Sequence, residues 1–149
     1  MSSTDQTVQL YQLRIWIRQI SPQIWRRLLV RSDSTIAELH DTLQIAFGWT
    51  DEHLHQFLIR GKPYGIGRPG GMSFDDNPRQ VQLRDFHFRW KETWVYEYVL
   101  TDWWQHEIRL EQVFPFDPTK QYPVCLAGKR RGPVVIWRIF CQGNISQLV

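Results

Sequence analysis

The sequence predicts an α+β fold, an antiparallel sheet packed on one principal helix, and three observations lead there. Two early stretches alternate apolar and polar residues with period two, Tyr11 to Ile17 and Ile24 to Val30. A later stretch, Trp94 to Glu111, reads as strand, turn, strand and is rich in aromatic and β-branched residues. Only one segment, Thr35 to Gly48, carries both helical periodicity and a start and stop signal.

In the first stretch Tyr11, Leu13, Ile15 and Ile17 share one face, opposite Gln12, Arg14, Trp16 and Arg18. Ser21 and Pro22 break it, and Ile24, Arg26, Leu28 and Val30 then alternate against Trp25, Arg27 and Leu29. Two such runs joined by a short turn form a hairpin. Thr35 begins the helix, with Glu38 three positions on completing a capping box, and Ile36, Leu39, Leu43 and Ala46 recur at helical spacing until Gly48 ends it. His53, His55, Phe57 and Ile59 follow on one face of a third strand. Lys62 to Gly71 is rich in glycine and proline and reads as a loop, which Ser73 to Gln80 extends. Strand-like character returns at Val81, Leu83, Phe86 and Phe88 before the aromatic hairpin, where Trp94, Tyr96 and Tyr98 share a face and Ile108 and Leu110 share another. Pro115, Pro118 and Pro123 limit strand length beyond it, and residues 134–149 are apolar without a capped element.

At 149 residues the expectation is a single domain spanning 1–149, frayed over residues 1–7. Trp, Phe and Tyr make up 14% of the chain, which suits a sheet with broad apolar faces and excludes a disordered chain. A net charge of +3 permits nucleic-acid contact without requiring it. Cys125 and Cys141 form no CxxC pair and no zinc-ligand spacing, so both are expected as free thiols. The first seven residues lack the pattern of a signal peptide, and no apolar run approaches bilayer-spanning length. A cytoplasmic protein without membrane contact is the expectation.

Five separated stretches then carry a resemblance. They are Leu39-His40-Asp41 leading to Phe47-Gly48-Trp49, His53 to Phe57, Tyr96-Glu97-Tyr98, Asp102 to Ile108, and Tyr122 to Gly128. In this order, from Leu10 to about Pro133, the chain resembles the plasmid Ri ORF-three-like family, whose members are often labelled transposon passenger or TnpR-like proteins. The resemblance implies a compact α+β domain, somewhat β-grasp-like, carried on mobile elements, and it implies no established activity; no serine-recombinase pattern accompanies it. The chain departs from the family at two places. Tyr98-Val99-Leu100-Thr101-Asp102 stands where the family has Tyr-Asp-Phe-Gly-Asp, and Gly132-Pro133-Val134-Val135 stands where an acidic stretch and paired glycines are usual. The tail after Pro133 therefore reads as remodelled, or as frame-shifted.

Three chemistries can be drawn from these residues. His53, His55, Asp102 and His106 together could hold a divalent transition metal and serve a nuclease-like hydrolase. The alternative is that these side chains fill a half-polar groove and bond backbone groups, with no cofactor. Asp102 and His106 could act as an acid and base pair, although no Ser or Cys stands in a nucleophile context, and an aspartate at a tight turn ordinarily caps backbone amides. His40 and His87 read as surface or packing residues. Finally, Arg26, Arg27, Lys129, Arg130 and Arg131 could meet phosphates, beside tryptophans such as Trp16 and Trp25 able to stack on bases. The leading expectation is a non-catalytic accessory module contacting nucleic acid or a protein of the mobile element. Catalysis is left open, with the metal-dependent hydrolase as the alternative.

Overall fold

The computed structural model describes residues 7–51, 53–68, 71, 73–99 and 103–129. Among them the first hairpin pairs β1 (Gln9–Ile17) with β2 (Trp25–Arg31), and the helix α1 runs Ile36–Phe47. Then come β3 (His55–Ile59), β4 (Lys62–Tyr64), a 3-10 helix at Leu83–Phe86, β5 (Thr93–Val99), β6 (Trp103–Pro115) and β7 (Val124–Lys129). The strands form a seven-stranded sheet in the order β4-β3-β5-β6-β1-β2-β7, and every pairing is antiparallel.

This overturns the expected class. Among the described residues the protein is a predominantly antiparallel β fold with one helix and a lone 3-10 turn, not an α+β sheet packed on a principal helix and not a β-grasp. The helix has 12 residues, whereas β6 alone has 13. Two segments moved the balance. Lys62–Tyr64, read as loop, pairs with β3 as the outermost strand, a position where Pro63 costs no ladder bond. Val124–Lys129 contains Ala127 and Gly128, which carry little strand preference, yet it completes the other edge on β2. In the opposite direction, the strand expected around Val81 to Phe88 is replaced by the 3-10 helix, which His87 ends at φ 50.

The local readings otherwise hold. Leu13, Ile15, Ile17, Leu28, Val30, Phe57, Ile59, Trp94, Tyr96, Tyr98, Ile108 and Leu110 turn to one face and form a single hydrophobic cluster with Ile36, Leu39, Leu43, Ala46 and Phe47 of α1. A register shift between Gln12 and Leu13 on β1 accommodates one extra residue of β6 without disturbing the Leu13–Leu110 and Ile15–Ile108 pairs. Cys125 is buried in β7 and is not a free thiol, contrary to expectation. No helix among the described residues is long and apolar enough to cross a membrane. Residues 1–6, most of the expected frayed start, and the tail 134–149 lie outside the described residues.

Both helix ends follow from the sequence. Thr35 Oγ1 accepts the Glu38 amide at 3.1 Å and Glu38 Oε1 accepts the Thr35 amide at 2.8 Å, which satisfies two amides that the first turn leaves unpaired. At the other end Gly48 adopts φ 76, its amide donates to Ile45 O, and the Trp49 amide donates back to Gln44 O at 2.8 Å. This is the Schellman closure, which a residue with a Cβ enters only under strain. Thr35→Ala is expected to destabilise the fold by about 1 kcal/mol, read from urea unfolding as a lower midpoint at unchanged slope.

Candidate functional site

The turn out of α1 delivers Trp49 and Asp51 onto the core face of the sheet, where three elements meet. His40, from the middle of α1, is fully buried, as are His55 at the start of β3, Tyr96 of β5 and His106 of β6. Tyr96 lies at the centre. Its hydroxyl oxygen accepts Gln44 Nε2 at 2.7 Å and stands 2.8 Å from His40 Nδ1. His40 Nε2 lies 2.7 Å from Asp51 Oδ1, and Arg68 Nη2 donates to that same oxygen at 2.7 Å. Gln44 also accepts the Asp51 amide through Oε1 at 2.7 Å, which holds Asp51 in its left-handed conformation at φ 57.

The network fixes the tautomers. Burial holds the His40 pKa below its ordinary value, although Asp51 pulls it the other way, so the ring is neutral. Its hydrogen sits on Nε2 and is donated to the Asp51 carboxylate, while Nδ1 accepts the Tyr96 hydroxyl hydrogen. His55 stacks on His40 with ring centres 3.7 Å apart and planes 19° apart. Its Nε2 accepts the Ile66 amide at 3.2 Å, its Nδ1 has no hydrogen-bond partner among the described residues, and burial together with the neighbouring His40 pushes its pKa down to about 3.

His40, Asp51 and His55 each bring one atom able to ligate a metal within 4.8 Å of the others. The sequence-predicted metal set therefore shares only His55 with the group that forms among the described residues. His53 is exposed before β3, its ring nearly perpendicular to that of Tyr98 with centres 5.8 Å apart. Asp102 lies outside the described residues, so the Asp102–His106 acid and base pair does too. His106 is fully buried and uses both nitrogens: Nδ1–H donates to Tyr96 O at 3.1 Å, and Nε2 accepts Trp49 Nε1–H at 3.2 Å. Burial lowers its pKa to about 4. His106 does not join the group of His40, Asp51 and His55. His40 carried a signal in the sequence: it lies four residues after Ile36 and three before Leu43, on the apolar stripe of the helix.

The expected basic residues also separate. Arg26 turns inward and is buried; its Nε donates to Ala46 O at 2.8 Å, and Nη1 donates to Trp25 O and Lys129 O. It caps the Ala46 carbonyl at the end of α1, burial lowers its pKa to about 10, and its inward position takes it off the surface where a phosphate could meet it. Arg27 faces outward and pairs with Glu111 at 2.8 Å. Lys129 is exposed at the end of β7, and Arg130 and Arg131 lie outside the described residues.

The outward face of β1, β2 and β6 carries a second arrangement. Trp16 and Trp25 are directly paired across β1 and β2, and Arg14 pairs with Arg27 beside them. The Arg14 guanidinium lies 4.6 Å from the Trp25 ring, Arg27 lies 5.4 Å from that ring, and Arg109 lies 5.2 Å from the Trp16 ring.

The model of the plasmid pRiA4b ORF-3-like protein family matches residues 9–134. The chain belongs to that family. A relative from Sinorhizobium fredii (strain NBRC 101917 / NGR234), the uncharacterized protein y4hQ, is 30% identical over 104 residues, which is 69% of this chain and 54% of the relative. The chain thus spans about half the length of that relative. The crystal structure of MM3350, a protein of unknown function from Methanosarcina mazei Go1, superposes with a TM-score of 0.74 at 34% identity, covering 85% of this chain and 72% of that one. This member of the plasmid pRiA4b ORF-3-like family accordingly resembles proteins whose names state no activity.

Proposed function

We propose that this plasmid pRiA4b ORF-3-like protein is a non-catalytic binding module that takes single-stranded nucleic acid on the outward face of its sheet. The observation that supports this reading is the Trp16–Trp25 pair flanked by Arg14, Arg27 and Arg109. Strand alternation puts these side chains opposite the buried row, so two indoles and three guanidiniums share one open surface. Indole faces stack on any base, and guanidiniums meet phosphates and base planes alike. The acidic residues on this face are already engaged: Glu107 pairs with Arg18 at 2.7 Å and Glu111 with Arg27. Without a ligand, the same stacking contributes about 0.5–1 kcal/mol per exposed cation and ring pair to the sheet.

Fluorescence anisotropy with labelled single-stranded DNA and RNA tests the reading. The expected result is association that weakens as salt rises, a further loss of about tenfold or more on replacing Trp16 and Trp25 together by alanine, and a shallower salt slope for Arg109→Ala. Binding to neither polymer at low salt would return this face to a purely structural role or to a protein partner.

A further inference from the structure

Independently of that surface, we propose that His40, Asp51 and His55 form a site for a divalent transition metal ion, capped by the loop Gly65–Arg68, which sets its own donors on the same ligands. The three side chains come from the middle of α1, the turn after it and the start of β3, and one ligand atom of each falls within 4.8 Å of the others. Two imidazoles and one carboxylate form the donor set of a three-ligand zinc-type centre with a further position left for water or substrate. Asp51 is 44% exposed at its side chain, which gives an ion a way in from solvent.

The loop occupies that donor set with protein groups. The Ile66 amide donates to His55 Nε2 at 3.2 Å, and Arg68 Nη2 donates to Asp51 Oδ1 at 2.7 Å and to Asp51 O at 2.9 Å. Gly65 lets the loop sit this close, since a Cβ there would come within 2.8 Å of Phe74 and 3.3 Å of His55 Nε2. Arg68 thus supplies the positive charge that a metal would otherwise bring to Asp51. The capped arrangement is incompletely satisfied, because His55 Nδ1 and Arg68 Nε are buried without a hydrogen-bond partner among the described residues. Buried donors left unpaired weaken the capped state and ease its exchange for a metal.

Coordination needs a turn of one imidazole as well as changes in hydrogen bonding, because rings stacked 3.7 Å apart at 19° hold their in-plane lone pairs side by side. His55 offers the Nε2 lone pair now given to Ile66, with its hydrogen remaining on Nδ1. His40 offers Nε2 once its hydrogen moves to Nδ1, where Tyr96 Oη accepts it, and no proton is lost overall. Tyr96, itself held by Gln44, then orients the ligating imidazole from behind, as partners of metal-bound histidines commonly do.

The test uses the untagged full chain, Co2+ read by its visible absorption, and Zn2+ read by calorimetry. One ion per chain is expected, with the visible bands of a low-coordinate Co2+ centre. Arg68→Ala removes the competing cation and is expected to bind about tenfold more tightly, while Asp51→Asn, which tolerates the same left-handed backbone, is expected to bind at least about tenfold more weakly. His53→Ala is expected to bind as the unaltered chain does. Absence of stoichiometric binding to both the unaltered chain and Arg68→Ala, with circular dichroism showing both folded, would overturn the proposal. So would binding that Asp51→Asn leaves unchanged or that His53→Ala abolishes.

Discussion

Lowering the pH from 7 to 4 is expected to destabilise the fold by about 3 kcal/mol through His106 alone. The ring is sealed among Phe47, Trp49 and Tyr96, and burial takes its pKa from 6.5 to about 4. The folded state therefore binds the proton more weakly than the unfolded chain, whose imidazole titrates near 6.5. The stabilising difference is fully present above pH 6.5 and is lost as the pH falls toward 4. Glu92 and Glu111, whose carboxyls are held below 4.5 with Arg60 and Arg27 beside them, lose their stabilisation below that value, so the window from 6.5 to 5 isolates the histidines. Urea unfolding at pH 7, 6 and 5 at fixed ionic strength is expected to show the midpoint falling throughout. A His106 ring resonance titrating near 6.5 in the folded protein would refute this account.

Replacing Tyr96 by alanine is expected to cost about 3–5 kcal/mol, the range for removing a large buried aromatic side chain. Its ring contacts Phe57 at 4.6 Å and His106 at 5.2 Å between centres, and its hydroxyl ties Gln44 and His40 of α1 to the middle of the sheet. Tyr96→Phe separates the two contributions. It keeps the ring but leaves Gln44 Nε2 and His40 Nδ1 without their partner, at an expected cost of about 1–3 kcal/mol. Equilibrium unfolding of both variants measures the split. A phenylalanine variant as stable as the unaltered protein would mean that these hydrogen bonds make no net contribution.

Much of the sheet was legible because its signals are local. Leu13, Ile15 and Ile17, or Trp94, Tyr96 and Tyr98, need only a period of two to declare their buried face, and Thr35, Glu38 and Gly48 mark the helix within their own turns. The fold class was misjudged where local preference is weak. Lys62–Tyr64 and Val124–Lys129 become strands because an adjacent strand edge offers unpaired amides and carbonyls, which neither segment's composition reveals. Arg26 shows a related limit. Alternation groups it with Leu28 and Val30, yet its charge sets it among the expected phosphate contacts, and its inward role depends on Ala46 and Lys129, carbonyls that only the folded chain brings beside it.

The sequence by itself determined the family, the first hairpin, the capped helix and the aromatic hairpin, since each rests on residues a few positions apart. Only the tertiary structure decided which polar groups meet. His40 reaches Tyr96 across 56 positions and Trp49 reaches His106 across 57, and those encounters require β5 and β6 to lie where the helix and its following turn come down. A histidine's pattern position tells that it is buried. Whether it ends against a backbone carbonyl and an indole, like His106, or beside a carboxylate and a second imidazole, like His40, depends on the groups that the strand order sets around its ring.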